Sequence, residues 1–178
     1  YYHQGVFKDQ LEGDKQGAIE YYTQAIKLDP NHTDAYNDRG LARLALGDLQ
    51  GAIADYTQAI KINPLFEDPY LNLAQLYRQQ GLNHENSGDA IGAITEYTQA
   101  IQVLNQMPSS ERSRLRGNRQ GSVYNLAMTH YHRGLTRFNS GDKQGAINDL
   151  QKAAQLFQSQ ADANNHQLAI RKIREIQH

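Results

Sequence analysis

The chain has 178 residues, with 18 Lys and Arg against 19 Asp and Glu, and so a formal net charge of −1. Its apolar fraction is 39%, it has no cysteine, and no apolar run approaches the roughly 18 residues that a membrane-spanning helix needs. These values exclude a disulfide framework and a thiolate metal site, and they suit one elongated domain or a short solenoid.

The charge is uneven along the chain. Residues 1–104 hold 7 Lys/Arg and 14 Asp/Glu, and residues 105–178 hold 11 and 5, so the two parts stand at −7 and +6. An acidic front and a basic back can steer partners, or give a monomer weak head-to-tail self-association. Solvated helix faces that differ by chance are the plainer account. The chain opens at Tyr1, without Met and already inside a helical pattern, which points to an excised fragment or a processed chain. A cytoplasmic location is the expectation, with an exported or membrane-anchored full-length protein as the alternative.

Residues 1–12 read as a first helix, and a second covers about 15–28. The stretch Gly13–Pro30 then returns 34 residues later as Gly47-Asp48-Leu49-Gln50-Gly51-Ala52-Ile53-Ala54-Asp55-Tyr56-Thr57-Gln58-Ala59-Ile60-Lys61-Ile62-Asn63-Pro64. It recurs with decreasing fidelity from Gly88-Asp89 and from Gly141-Asp142. A fixed period of this length marks stacked supersecondary units rather than one closed core. Within the second copy Ala52, Ile53, Tyr56, Ala59 and Ile60 fall on one helical face. Gly47 suits the left-handed residue that ends a helix, Asp48 caps the next one, and Pro64 blocks continuation. Small residues mark close helix crossings: Gly40, Ala52 and Ala59 in the second copy, Ala74, Ala93 and Ala100 in the third. Tyr56 and Tyr97 are the large side chains that fill the space between.

In this pattern the chain resembles the tetratricopeptide repeat (TPR) family, whose units are helix–turn–helix pairs of 34 residues; the wording is also similar to cyanobacterial members. The resemblance covers nearly the whole chain. It departs from the family in having no Trp, with Tyr36 and Tyr70 in the slot where the family often carries one. It implies an all-α fold, a right-handed α-solenoid of about four repeats plus a C-terminal capping helix. The repeats fall at about 1–30, 34–64, 68–104 and 122–160 of a single domain 1–178, with an insertion at 105–121 and the cap at 162–177.

Two departures from the period are visible. Gly47 to Gly88 is 34 plus 7, which makes Gly81–Ser87 an extra segment, either two further helical turns or a polar loop. Gly88 to Gly141 is 34 plus 19, which places the larger insertion around 105–123. The last helix carries Leu168, Ala169, Ile173 and Ile176 on one face and charge elsewhere, as a lid on an open apolar end requires.

No catalytic residues and no cofactor or metal site are expected. His130 and His132 bracket Tyr131, but positions two apart on a helix point about 200° from each other and cannot share an ion; both read as exposed or groove-lining. The Gly-Asp pairs are helix turns, not phosphate loops. Arg112, Arg114, Arg116 and Arg119 form the densest charge. A nucleic-acid patch would want interleaved aromatics, and 105–122 has none, so a solvated insertion or a docking element for an acidic partner fits better.

The resemblance implies a non-catalytic protein–protein interaction scaffold that holds a partner peptide or helix in a concave groove of A helices. The residues that map to that side are Tyr2, Val6 and Asp9, then Asn37, Leu41, Leu44 and Ala45, then Leu71, Asn72, Gln75, Arg78 and Gln79, then Tyr131, Leu135 and Asn139. Asn and Gln can pair with a partner backbone while Leu and Tyr anchor; packing against neighbouring helices is the alternative for each Leu. A receptor for acidic chaperone tails is disfavoured, because the matching places hold Asn37, Asp38, Asp68, Leu71 and Asn72 instead of Lys and Arg. The rival readings are a nucleic-acid-binding helical repeat that uses the arginine-rich insertion, and an accessory domain of a larger enzyme or membrane protein.

Overall fold

The computed structural model describes residues 1–108 and 118–178. These form nine α-helices and no strand: α1 Tyr2–Gln10, α2 Lys15–Leu28, α3 Thr33–Ala45, α4 Leu49–Ile62, α5 Glu67–Asn86, α6 Ala90–Gln106, α7 Asn118–Asn139, α8 Lys143–Ser159 and α9 Ala163–Gln177. The arginines Arg112, Arg114 and Arg116 and the side chain of Arg119 lie outside the described residues. The all-α helical-repeat fold read from the period is the fold observed.

Each turn within a repeat is built the same way. Gly13, Gly47, Gly88 and Gly141 all take positive φ, between 69° and 92°, where a side chain would be strained. The next residue then caps the following helix: Asp14, Asp48, Asp89 and Asp142 accept from the amides of Gly17, Gly51, Gly92 and Gly145. In the first repeat the Asp14 amide donates to Lys8 O, six residues back, whereas the Asp48 amide donates to Arg43 O, five back. One extra residue at Leu11-Glu12 accounts for the difference.

The junction of α8 and α9 copies this turn without glycine. Ala161 has φ 56° and Asp162 caps Asn165. A left-handed alanine costs roughly 1–2 kcal/mol, more than glycine's extra unfolded-state freedom of about 0.4–1 kcal/mol. Ala161→Gly is therefore expected to stabilise the protein by roughly 0.5–1 kcal/mol, read as a higher midpoint in urea; an unchanged or lower midpoint would contradict the strain.

Contacts divide the described chain into two compact units, Tyr1–Leu73 and Ala74–His178, and the division falls inside α5. In a repeat array each helix pair contacts only its neighbours, so a helix longer than its counterparts α1 and α3 is a natural place for contacts to thin. In the first unit α1 packs on α2, α2 on α3 and α3 on α4; in the second α6 packs on α7, α7 on α8 and α8 on α9.

The packing rests on small residues facing tyrosine. Ala18, Ala35, Ala42, Ala52, Ala59, Ala93 and Ala100 are fully buried, with Tyr22, Tyr56 and Tyr97 among them. A Cβ on Gly5, Gly40 or Gly81 would come within 2.6–2.7 Å of the ring of Tyr22, Tyr56 or Tyr97 respectively. Gly81 is therefore the third-repeat counterpart of Gly40, and Gly81–Ser87 is the ordinary end of a helix and its turn. The seven extra residues lie upstream, as two helical turns added to α5 before Gly81, which corrects the placement after it.

This register is testable. Gly81→Ala would bring a Cβ to 2.6 Å from the fully buried Tyr97 ring, so that one of them must shift. A loss of roughly 1–3 kcal/mol is expected, the usual cost of overpacking, measured by chemical denaturation. An unchanged stability would return the close crossing to Ala74.

Candidate functional site

In the first unit the A-helix face carries a polar network. The Tyr2 hydroxyl donates to Asp38 Oδ2 at 2.7 Å and the Asn37 amide to Asp38 Oδ1 at 3.1 Å. The Asn72 amide donates to Asn37 Oδ1 at 2.9 Å. Asn37, read from the sequence as a groove donor, is only 5% exposed and is engaged on both sides. Leu41 is 40% exposed, while Val6, Leu44, Leu71 and Asn72 are half-buried. Burial pushes the Asp38 carboxyl above the usual carboxylate range; the hydrogen bonds from Tyr2 and Asn37 oppose this, and the like charges of Asp34 and Asp9 add to it. Burial, followed by the bond to Asp38, likewise pushes the Tyr2 hydroxyl well up.

In the second unit Gln75 and Gln79 are exposed and Arg78 is half-buried. Tyr97 donates its hydroxyl to Glu85 Oε2 at 2.8 Å, and the ring of His132 stacks on Tyr97 with centroids 6.0 Å apart. Burial lowers the His132 pKa; Glu85 opposes this and Arg78 reinforces it. Leu135 packs on the cluster of Ala146, Leu150, Ile173 and Ile176, and Tyr131 touches both that cluster and the one built on Ala127, Ala153 and Phe157. His130 departs from its expected exposure: it is buried, with Nδ1 2.9 Å from Asp149 Oδ1.

Sequence reading missed a buried charge cluster that occurs twice. Arg39 forks onto Asp55 at 2.9 and 2.6 Å, Arg43 reaches the same carboxylate at 2.7 Å, and Arg39 also donates to Thr23 at 3.0 Å. Arg133 and Arg137 hold Asp149 at 2.7–2.8 Å, and Arg133 donates to Thr98 at 2.9 Å. The signal was present in the sequence: Arg39-Gly40-Leu41-Ala42-Arg43 and Arg133-Gly134-Leu135-Thr136-Arg137 each precede an aspartate 16 residues past the first arginine. These bidentate, charge-assisted bonds tie helix A to helix B of one repeat and, through the threonine, to helix B of the repeat before. Glu85 was also missed; it becomes visible once Gly81 is aligned with Gly40.

An open hollow of about 490 Å³ lies on α9, lined by His166, Gln167, Ile170, Arg171 and Arg174. Among the described residues no cluster of His, Asp and Glu could hold a metal ion, and no helix is long and apolar enough to cross a membrane.

Known proteins bear on the fold. The family model described as TPR repeat matches twice, over residues 11–47 and 40–81. No curated protein matches the chain. A crystal structure of MamA protein is 20% identical, covers 92% of this chain and 74% of that one, with a TM-score of 0.51. A structure of MamA residues 41 to end, from Desulfovibrio magneticus RS-1, is 16% identical, covers 99% and 91%, with a TM-score of 0.54. TTC0263, a thermophilic TPR protein in Thermus thermophilus, is 20% identical, covers 98% and 88%, with a TM-score of 0.52. At these identities the likeness carries the fold alone. TPR proteins are in general non-catalytic scaffolds that bind other proteins. Residues 11–81 therefore match the TPR repeat, and the described residues take a fold similar to that of a solved TPR protein.

Proposed function

We propose that the chain acts without catalysis, as a scaffold that holds a peptide or helix of a partner protein against its A-helix faces. The observation that carries this is the surplus of side chains on those faces. Ala35 and Ala42 complete the inward packing of α3, and yet Leu41 stays 40% exposed beside half-buried Leu44. An exposed leucine amid engaged polar groups is the composition of a contact face with an apolar anchor. Arg78 in the second unit adds a cation that can pair with an acidic group of the partner.

The test compares capture of partners from the source organism by the wild type and two variants. Leu41→Ala with Arg78→Ala removes one anchor and one cation and leaves the buried tyrosines and alanines untouched. Partner binding is expected to weaken tenfold or more, about 1.4 kcal/mol, with the melting temperature preserved. Alanine at Arg112, Arg114, Arg116 and Arg119 is the control and is expected to bind as wild type. Loss of the partner in the arginine variant alone would move the surface to the insertion and overturn the reading.

A further inference from the structure

The second unit is basic, and the hollow on its last helix keeps two arginines unpaired. Residues 74–178 hold 12 Lys/Arg against 8 Asp/Glu. Arg39, Arg43, Arg133 and Arg137 each hold an aspartate. Arg171 and Arg174 line the hollow on α9, exposed, with no carboxylate within ion-pair distance among the described residues. The one carboxylate within α9, Glu175, is taken by Lys172 at 3.0 Å. His166 forms a further wall, its ring held by a 3.0 Å bond from Nδ1 to the Ala154 carbonyl. Unpaired surface arginines are common by themselves. These two stand over a concavity of about 490 Å³, which is the size of a ligand-holding cleft.

A second, independent observation lies on α7. Tyr124, Met128, Tyr131, Leu135 and Phe138 follow one another at spacings of four and three, which puts them on one face of the helix. Its other sides are taken: Arg133 reaches Thr98 of α6, while Gly134 and Arg137 meet Leu150 and Asp149 of α8. The stripe packs its inner edges on the clusters beneath and on the Phe157 ring. Its outer edges stay open, with Tyr124 42% exposed and the other four half-buried. From Tyr124 to Phe138 it runs about 21 Å, roughly four helical turns. Ile170 joins the two features: it lines the hollow and packs against the same cluster as Tyr131, Leu135 and Phe138.

An apolar strip of this length with unpaired cations beside it fits one occupant. We propose that the second unit binds an acidic amphipathic helix of a partner protein, its apolar face laid along the α7 stripe and a carboxylate of its polar face held in the hollow by Arg171 and Arg174. A wholly apolar ligand would cover two guanidinium groups and give them nothing to pair with, which is costly. The chain's own insertion at 105–121 is repelled from a basic hollow, since it carries Arg112, Arg114, Arg116 and Arg119 against Glu111 alone. This assignment rests on the scaffold reading above and gives the second unit its partner chemistry.

The probes are three synthetic helical peptides of equal length. One sets leucines on one face and glutamates on the other, one replaces the glutamates with lysine, and one replaces the leucines with serine. Each is titrated into the whole chain, and amide chemical shifts are followed by NMR. The glutamate–leucine peptide is expected to move the amides of Met128, Leu135, Ile170 and Arg171 saturably, more weakly as salt is raised, while the other two leave them in place. Arg171→Gln with Arg174→Gln is expected to weaken this peptide at least tenfold at an unchanged melting temperature, since both side chains are exposed and unpaired. Unchanged affinity in that variant, or equal binding of the lysine peptide, would overturn the charge assignment, and equal binding of the serine peptide would overturn the apolar half. Each of these leaves the scaffold reading standing, because that reading is tested separately by Leu41→Ala with Arg78→Ala. A glutamate–leucine peptide that moves none of these amides would remove the site altogether. Self-association of the wild type that the glutamine variant abolishes would seat a second copy on this face and overturn the partner assignment.

Discussion

Asp149→Ala is expected to cost about 3–5 kcal/mol, the penalty for removing one partner from a buried ionic cluster. Arg133, Arg137 and His130 all converge on this one carboxylate within 2.9 Å. Alanine leaves those three groups facing one another around a buried point with nothing to neutralise them. The melting temperature is expected to fall by roughly 10 °C, at about 2–4 °C per kcal/mol for a chain of this size. The third repeat supplies the control. Glu96 stands at the matching position with no arginine opposite it, its Oε2 lacks a hydrogen-bond partner, and burial raises its pKa. Glu96→Gln is expected to leave stability unchanged or slightly higher. Equal losses at Asp149 and Glu96 would show that the cluster carries no special weight.

The same cluster sets an acid limit. Burial alone would raise the Asp149 pKa, but the hydrogen bonds from His130 and Arg133 and the charges of Arg133 and Arg137 outweigh it and hold the carboxyl at about 2. A carboxyl depressed in the folded state contributes stability that is present above its unfolded pKa, near 4. That contribution is lost as pH falls through about 2. One pKa unit is worth about 1.4 kcal/mol, so with solvent screening the acid limb removes roughly 1–2 kcal/mol. Asp149→Ala is expected to flatten this limb, as read from denaturation midpoints taken between pH 5 and pH 2.

The repeat itself was legible because its signals are local. A left-handed glycine and a capping aspartate act within one turn, and the period puts them in view at Gly13, Gly47, Gly88 and Gly141. The register of the third repeat was not. Ala74 and Gly81 are seven residues apart, about two helical turns, so both fall on the same face of α5. Only the Tyr97 ring packed against Gly81 decides between them. The Arg39–Asp55 and Arg133–Asp149 pairs span 16 residues across a helix turn, outside any helical neighbour rule, and come together only when two helices pack. Asn37 has the same origin: a polar residue on the groove side of a helix reads as a donor to a partner, but Asn72 reaches back from α5 and occupies it.

The other large effect concerns α9. Ala169 is fully buried, and Ile173 and Ile176 are 7% and 5% exposed, packed with Ala146 and Leu150 of α8, while Tyr131, Leu135 and Phe138 of α7 close over the same cluster. Lys172 adds its ammonium over the Phe138 ring at 5.1 Å. A chain ended at Ala161 loses all of this. The two isoleucines alone account for roughly 3–6 kcal/mol of apolar burial, and the α7–α8 surface beneath them would be left open to water as one contiguous patch. Such a patch on a repeat array is a template for association. The truncated chain is therefore expected to be less stable in urea by several kcal/mol and to elute as oligomers or aggregates, measured by light scattering on a sizing column. Ile173→Ala in the full chain separates the two effects: it keeps the lid in place while opening a cavity, and is expected to cost about 2–5 kcal/mol without association. A truncated chain that stays monomeric and as stable as the full one would mean that α9 rests on α8 without holding the second unit together, and that the apolar seam below it closes by itself.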